Sequence, residues 1–124
     1  MANGDGGCLC GDSGEKIVLA CSGAADLGQL TDCVAREFKK TGERQMKCLA
    51  MVGIGTDDII SDFSKYDILV LDGCSVDCGK KMLERAALEN FKQIRMTDLG
   101  YTKGKTPVTD ELVKEVYQKV EVAD

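Results

Sequence analysis

Two cysteines, Cys74 and Cys78, stand four positions apart in the stretch ILVLDGCSVDCGKKMLERA. An apolar run ends in Asp-Gly just before Cys74, and a helical pattern follows Cys78, which together indicate a strand, a turn and a helix entrance. Residues one helical turn apart share a face, so both thiols can point into one site. A helix N-terminus stabilises thiolate, the form of cysteine that binds metals and reacts. The pair therefore predicts a metal site or a reactive thiol, with simple packing of two small side chains as the alternative.

The numbers of cysteines and histidines limit which ligands a metal site in this chain could use. The chain contains seven cysteines and no histidine. A disulfide scaffold is disfavoured because an odd number of cysteines cannot pair fully and because the N-terminus lacks the pattern of a signal peptide. A soft-metal site must therefore use thiolates alone or thiolates with carboxylates. Such ligands accept Zn²⁺, iron and Cu(I), so the identity of the metal stays open.

Composition and charge exclude several other classes of function. A chain of 124 residues, with 44% apolar and 30% charged residues, is large enough for one domain with a real core. A net charge of −5 disfavours nucleic acid and anionic membranes as partners. No apolar run approaches the roughly 20 residues of a membrane span. We expect a cytoplasmic protein that binds a metal ion but neither nucleic acid nor membrane, and the sequence identifies no protein partner.

The order of the segments predicts the fold. Residues 1–14 are rich in Gly, Asp and Ser and predict a flexible tail that contains Cys8 and Cys10, while residues 15–124 predict a single α/β domain. Four apolar runs, EKIVLAC, MKCLAMVGIG, YDILVLDG and KQIRMTDLG, alternate with four helical patterns. The inner runs are too apolar for a half-exposed sheet. The pattern is typical of a three-layer Rossmann-like sandwich, a four-stranded parallel sheet of order 2-1-3-4 with helices on both faces.

This topology places the distant cysteines at one edge of the sheet. In an open parallel sheet, ligands bind at the carboxyl ends of the strands, where the strand order reverses. Cys21 ends the first predicted strand, and Cys74 and Cys78 follow the third, which is its neighbour. Cys48 falls near the middle of the second predicted strand, where burial in the core is a strong alternative. Cys33, on the flank of the first helix, is predicted to be a packed cysteine.

Two acidic residues follow strands at the same edge. Asp72 ends the third predicted strand and Asp98 follows the fourth. Each is expected to cap a turn. The alternative is that each supports a metal ligand through a hydrogen bond from outside the coordination sphere.

With these residues in place, the chain resembles the DGC domain family of zinc-binding proteins, which is named for an Asp-Gly-Cys motif. The resemblance covers about residues 16–102 and rests on four segments in the family's order. These are the Asp-Gly-Cys motif itself at 72–74, followed by Cys78, and the stretches CSGAADLGQL from Cys21, CLAMVGIG from Cys48 and TDLG from Thr97.

The resemblance also implies a set of ligands. The four zinc-chelating cysteines of the family correspond to Cys21, Cys48, Cys74 and Cys78. Many members carry a further cysteine where Ala24 stands, and its absence here favours the set of four.

Three hypotheses about function follow. The first is a metal-binding module in which Cys21, Cys48, Cys74 and Cys78 hold Zn(II) for sensing, storage or transfer. The second is a thiol-based oxidoreductase or transferase with Cys74 as nucleophile and Cys78 or Cys21 as resolving thiol. The third is an anion site in CSGAADLGQL, which lacks both a clamping arginine and the Gly-Lys-Ser/Thr of a Walker loop. Whether the protein is an enzyme stays open.

Overall fold

The computed structural model describes residues 14–124. The predicted tail, with Cys8 and Cys10, lies outside the described residues except for Gly14.

Four parallel strands form one sheet in the predicted order. Strand β1 pairs with β2 on one side and β3 on the other, and β4 completes the order β2-β1-β3-β4. The register places Lys16 beside Asp67 and Ala20 beside Leu71, so β1 and β3 share one carboxyl edge. The bounds are β1 Lys16–Ala20, β2 Gln45–Met46, β3 Asp67–Asp72 and β4 Phe91–Arg95.

Helices cover both faces of this sheet and confirm the three-layer sandwich. They are α1 Asp26–Thr41, α2 Leu49–Ile54, α3 Asp57–Phe63, α4 Cys78–Arg85 and α5 Asp110–Ala123, with a 3₁₀ turn at Met96–Leu99. Alternate residues of each strand are buried in two separate cores, because successive side chains in a strand point to opposite faces of the sheet. Val18 and Leu69 pack under α1 and α5, while Ile17 and Ile68 pack under α2, α3 and α4.

The prediction for the second strand was wrong in its extent. Strand β2 ends at Met46, and residues 49–54 of the predicted strand form α2 instead. Only two residue pairs join β2 to β1, so little pairing holds this edge extended. The LAMV segment contains good helix formers, and Gly55 ends the helix in the left-handed conformation at φ 68°. A short apolar run cannot distinguish strand from helix by periodicity alone. Within residues 14–124, five α-helices rather than the predicted four therefore cover the two faces of the sheet.

The ends of three helices are set by identifiable residues. Gly42 ends α1 at φ 82°, and its N–H donates to the carbonyl of Phe38 at 3.1 Å. The hydroxyl of Thr109 caps α5 by accepting the N–H of Leu112 at 3.1 Å. Helix α4 ends at Arg85, and the exposed Ala87 adopts the left-handed conformation at φ 60°, which does not continue the helix.

A buried arginine joins the amino ends of the central strands to the last helix. Arg44 donates from Nη1 to the carbonyl oxygens of Ile17 and Asp67, both at 2.8 Å. Its Nε and Nη2 each lie 2.9 Å from a carboxylate oxygen of Asp124. The guanidinium thus satisfies main-chain and side-chain acceptors from three segments at the end of the sheet opposite the cysteines.

None of the helices that residues 14–124 form is long and apolar enough to span a membrane.

Candidate functional site

Three of the predicted ligands lie on the two loops that leave the central strands. Cys21 follows β1 directly, and its N–H donates to the carbonyl of Leu71 at 3.0 Å, so the pairing with β3 continues one residue further. Cys74 lies two residues beyond the end of β3, and Cys78 is the first residue of α4. These loops flank the point where the strand order reverses, as predicted.

The fourth predicted ligand, Cys48, lies outside the strand in which it was predicted. The N–H of Lys47 donates to the carbonyl of Val18 at 3.1 Å, which brings Cys48 beside the carboxyl end of β1. Cys48 immediately precedes α2 and is exposed. Burial in a core strand, the alternative for this residue, is therefore wrong.

The remaining described cysteine has a different environment. Cys33 is half-buried on α1 and packs against the core formed by the sheet, α1 and α5. Burial, and then the neighbouring Asp32, raise the pKa of the Cys33 thiol. The prediction of a packed cysteine is confirmed, and Cys33 offers a control thiol away from the edge.

The cysteines at the carboxyl edge are at least partly exposed, but their side chains are not close enough together to form a metal-binding cluster. Cys48 and Cys78 are exposed, while Cys21 and Cys74 are half-buried, so none of the four fills the core. Within residues 14–124, no group of three or more cysteine, aspartate or glutamate side chains is arranged closely enough to hold a metal ion. The donor chemistry and the shared edge suit a soft metal, which would have to draw the thiols together. The four-cysteine ligand set stays a prediction.

Thr31, which the sequence did not single out, anchors the loop that carries Cys21. Its buried hydroxyl lies 3.4 Å from the Cys21 sulfur, accepts the N–H of Ser22 at 3.3 Å and donates to the carbonyl of Gly28 at 2.8 Å. Gly28 allows this packing, because a Cβ there would lie only 2.4 Å from the backbone nitrogen and oxygen of Gly23. The loop after β1 therefore rests directly on the first turn of α1.

The aspartate of the Asp-Gly-Cys motif caps the helix that begins at Cys78. Asp72 is 1% exposed, and its carboxylate accepts the N–H of Gly79 at 2.7 Å and of Lys80 at 3.1 Å. It also accepts a hydrogen bond from Nε2 of Gln93 at 2.8 Å. The capping expectation is confirmed, and the cap fixes the position of the first turn of α4.

A second carboxylate holds the turn between Cys74 and Cys78. Asp77 adopts the left-handed conformation at φ 59° and receives hydrogen bonds from Arg95 at 2.7 and 2.9 Å and from Gln93 at 2.8 Å. The Arg95 guanidinium, opposed in part by burial, holds the pKa of Asp77 below its ordinary value. Arg95 also donates to Asp98 at 3.3 Å, and the Asp98 side chain is 64% exposed. Asp98 is thus connected through Arg95 to Asp77, in the turn between Cys74 and Cys78.

Lys103, which was not predicted as a site residue, lies against Cys74. Nζ of Lys103 is 3.8 Å from the Cys74 sulfur, a contact between residues 29 positions apart. Like the contact of Thr31 with Cys21, the contact of Lys103 with Cys74 arises from tertiary packing, and no local sequence pattern predicts it.

The fold and the position of the cysteines define a class of protein, a Rossmann-like α/β domain with thiols at the carboxyl edge of its sheet. A family model described as the DGC domain matches residues 17–120, and the chain belongs to the DGC domain family. The match runs through most of α5, beyond the segment in which the sequence motifs lie.

A curated relative gives a second comparison. The chain is 30% identical over 93 residues to "Anaerobic and virulence modulator AnvM" of Pseudomonas aeruginosa, an alignment that covers 74% of this chain and 71% of the relative. No solved structure matches the chain.

Proposed function

We propose that this domain binds a soft metal ion, Zn(II), through Cys21, Cys48, Cys74 and Cys78. The observation that carries the proposal is that these thiols, from segments far apart in sequence, all lie at one edge of the sheet and outside the core, three on loops and Cys78 at the start of α4. Membership of the DGC domain family supports the same residues. The chain has no histidine, so thiolates are the soft ligands available.

Positive charge at the edge would offset the negative charge of a metal-bound thiolate set. Four thiolates around a divalent cation leave two net negative charges. The amino end of α4, where Cys78 lies, presents the positive end of a helix dipole. Lys103 adds a full positive charge beside Cys74. Both contributions stabilise the anionic ligands that a metal requires.

Metal binding in this domain has a role other than holding the fold together. Structural zinc usually stabilises small domains that lack a sufficient core. Here the sheet is buried on both faces by apolar side chains, with Leu19, Leu69 and Val70 fully buried. A complete four-thiolate shell also leaves no coordination position for a substrate. Sensing, storage or transfer of the metal fits these properties best.

A cobalt titration of the reduced metal-free protein tests the proposal. Thiolate ligation of Co²⁺ gives intense charge-transfer absorption, and we expect it to saturate near one equivalent. Every titration is made in a chain with Cys8 and Cys10 changed to serine, which removes their thiols from the signal. Cys74→Ser and Cys78→Ser should abolish most of the absorption, and Cys21→Ser and Cys48→Ser should weaken it.

Cys33→Ser is the matched control, since Cys33 is half-buried on α1 and packs against the core. It should leave the cobalt signal unchanged. The proposal fails if the starting protein takes up neither Co²⁺ nor Zn²⁺. It also fails if Cys33→Ser reduces the signal as much as Cys74→Ser.

The contact between Lys103 and Cys74 supports a second candidate, a thiol-based oxidoreductase or transferase. In thiol–disulfide exchange, the Cys74 sulfur would attack a substrate disulfide and release one substrate thiolate, with Lys103 as the neighbouring cation. Cys78 at the start of α4 would then attack the mixed disulfide, releasing the second substrate thiolate and leaving a Cys74–Cys78 disulfide. Alkylation by iodoacetamide separates the two candidates. A metal-bound set resists alkylation until a chelator is added, whereas a free nucleophile reacts at the same rate with and without chelator.

A further inference from the structure

The segment that carries Lys103 is tied to the start of α1 by one carboxylate. Asp26 accepts the N–H of Gly104 at 2.9 Å and of Thr106 at 2.9 Å. The same carboxylate accepts the N–H of Leu27 at 2.7 Å within the first turn of α1. These hydrogen bonds, that of Gly104 foremost, hold the pKa of Asp26 below its ordinary value and keep the group ionised.

Internal hydrogen bonds fix the shape of this segment, residues 102–106, which we call the lysine turn. The carbonyl of Thr102 accepts the N–H of Lys105 at 3.1 Å and the hydroxyl of Thr106 at 2.7 Å. Gly104 occupies the left-handed region at φ 85°, and Thr106 is buried. The backbone of the lysine turn is therefore held in place, and the side chain of Lys103 extends from it to Cys74.

Asp26 links this turn to the other side of the site. It lies five residues after Cys21, at the end of the loop that leaves β1. One carboxylate thus fixes both the start of α1 behind Cys21 and the turn that reaches Cys74.

We propose that Lys103 is part of the metal site, where its ammonium group donates to the Cys74 sulfur and offsets the negative charge of the thiolate set. In this proposal Asp26 acts as the positioning residue that holds the lysine turn over Cys74. The inference rests on the proposed metal-binding function and assigns residues outside the cysteine set to it. An exposed ion pair of this kind corresponds to a change of about two- to fivefold in affinity.

Cobalt affinity of charge-altered variants tests the role of Lys103. We compare Lys103→Met, Lys103→Arg and Lys105→Met in the chain without Cys8 and Cys10, by competition with a chelator. Lys103→Met should weaken Co²⁺ binding about two- to fivefold at about 0.1 M salt, where charges are screened beyond about 10 Å. The difference should shrink at about 1 M salt, where the screening length is about 3 Å. Lys103→Arg should recover most of the affinity.

Lys105, in the same turn, is the matched control, and Lys105→Met should bind Co²⁺ as the starting protein does. The inference is overturned if Lys103→Met and Lys105→Met have equal affinities. It is also overturned if the loss at Lys103 is the same at both salt concentrations, which would indicate a structural defect. If the starting protein gives no cobalt signal, the proposed function fails before these variants are compared.

The positioning role of Asp26 is tested by a double-mutant cycle. In a chain carrying Asp26→Asn, the lysine turn loses its anionic anchor, so Lys103→Met should have a clearly smaller effect on cobalt affinity. An undiminished effect of Lys103→Met in that background would show that Asp26 does not position the lysine.

Discussion

Replacing Asp72 by asparagine should destabilise the whole domain, although the two side chains have nearly the same shape. The buried carboxylate accepts three hydrogen bonds, from the main chain of Gly79 and Lys80 and from the side chain of Gln93. An asparagine keeps one accepting oxygen and places an NH₂ group against at least one of these donors. Rotating the Gln93 amide does not solve the problem, since its Nε2 also donates to Asp77 at 2.8 Å.

The size of this effect follows from the bonds that are lost. A hydrogen bond to a charged group contributes about 1.5–3 kcal/mol, and a buried donor left unpaired costs about 1–3 kcal/mol. With one to two donors affected, Asp72→Asn should lower the free energy of unfolding by about 2–4 kcal/mol. For a domain of this size, each kcal/mol corresponds to about 4 °C, so the Tm should fall by about 8–16 °C.

Urea denaturation of the reduced, metal-free protein measures this loss without a contribution from bound metal. Asp98→Asn is the control, because Asp98 is an exposed carboxylate at the same edge and receives only long contacts of 3.3 Å from Arg95. It should change the free energy of unfolding by less than about 0.5 kcal/mol. Equal stabilities of the two variants would refute the view that Asp72 acts as the buried cap of α4.

Two further predictions concern packing and pH. Gly28→Ala should cost about 1–2 kcal/mol of unfolding free energy, since the clash with backbone exceeds the gain of up to about 1 kcal/mol in helix propensity. Stability should also fall in acid. Arg95 lowers the pKa of Asp77 below 3.8, so its stabilisation is complete above that value and is lost as pH falls through the folded-state pKa. Asp77→Asn should flatten the decline measured by urea denaturation below about pH 4.

The packing prediction has a matched control in the chain. Gly53→Ala meets only the flexible end of Met82, at 2.8 Å, and should stay within about 0.5 kcal/mol of wild type. If it costs as much as Gly28→Ala, contact with the backbone is not the cause. The pH prediction is contradicted if the free energy of unfolding falls with acid as steeply in Asp77→Asn as in wild type. The pH dependence would then belong to other carboxylates.

The sheet, and the edge of it at which the cysteines lie, were predictable because they depend on patterns that repeat along the chain. Short apolar runs alternating with helical segments specify a parallel sheet, and the carboxyl edge of such a sheet collects the residues that follow each strand. Cys21, Cys74 and Cys78 were located in this way. Cys48 was placed in the wrong kind of element, because an apolar segment such as LAMVGI suits a core strand or a short helix equally well.

The groups that surround the cysteines were not predictable from local patterns. Thr31 reaches Cys21 across ten residues and Lys103 reaches Cys74 across 29 residues, and both contacts depend on how α1 and the lysine turn pack. The role of Asp72 could be expected from its position between a strand and a helix. Its third partner, Gln93, could not, because it comes from β4.

The buried position of Arg44 has a consequence for how cooperatively the domain unfolds. Its guanidinium bonds to the main chain of β1 and β3 and to Asp124, the residue that follows α5, segments up to 80 positions apart. Any partly folded form in which α5 has detached would lose both hydrogen bonds to Asp124 and leave this charge with the longer, 3.3 Å contact to Asp67, which is unfavourable. Such intermediates are therefore suppressed, and the sheet and its last helix should form and melt as one unit.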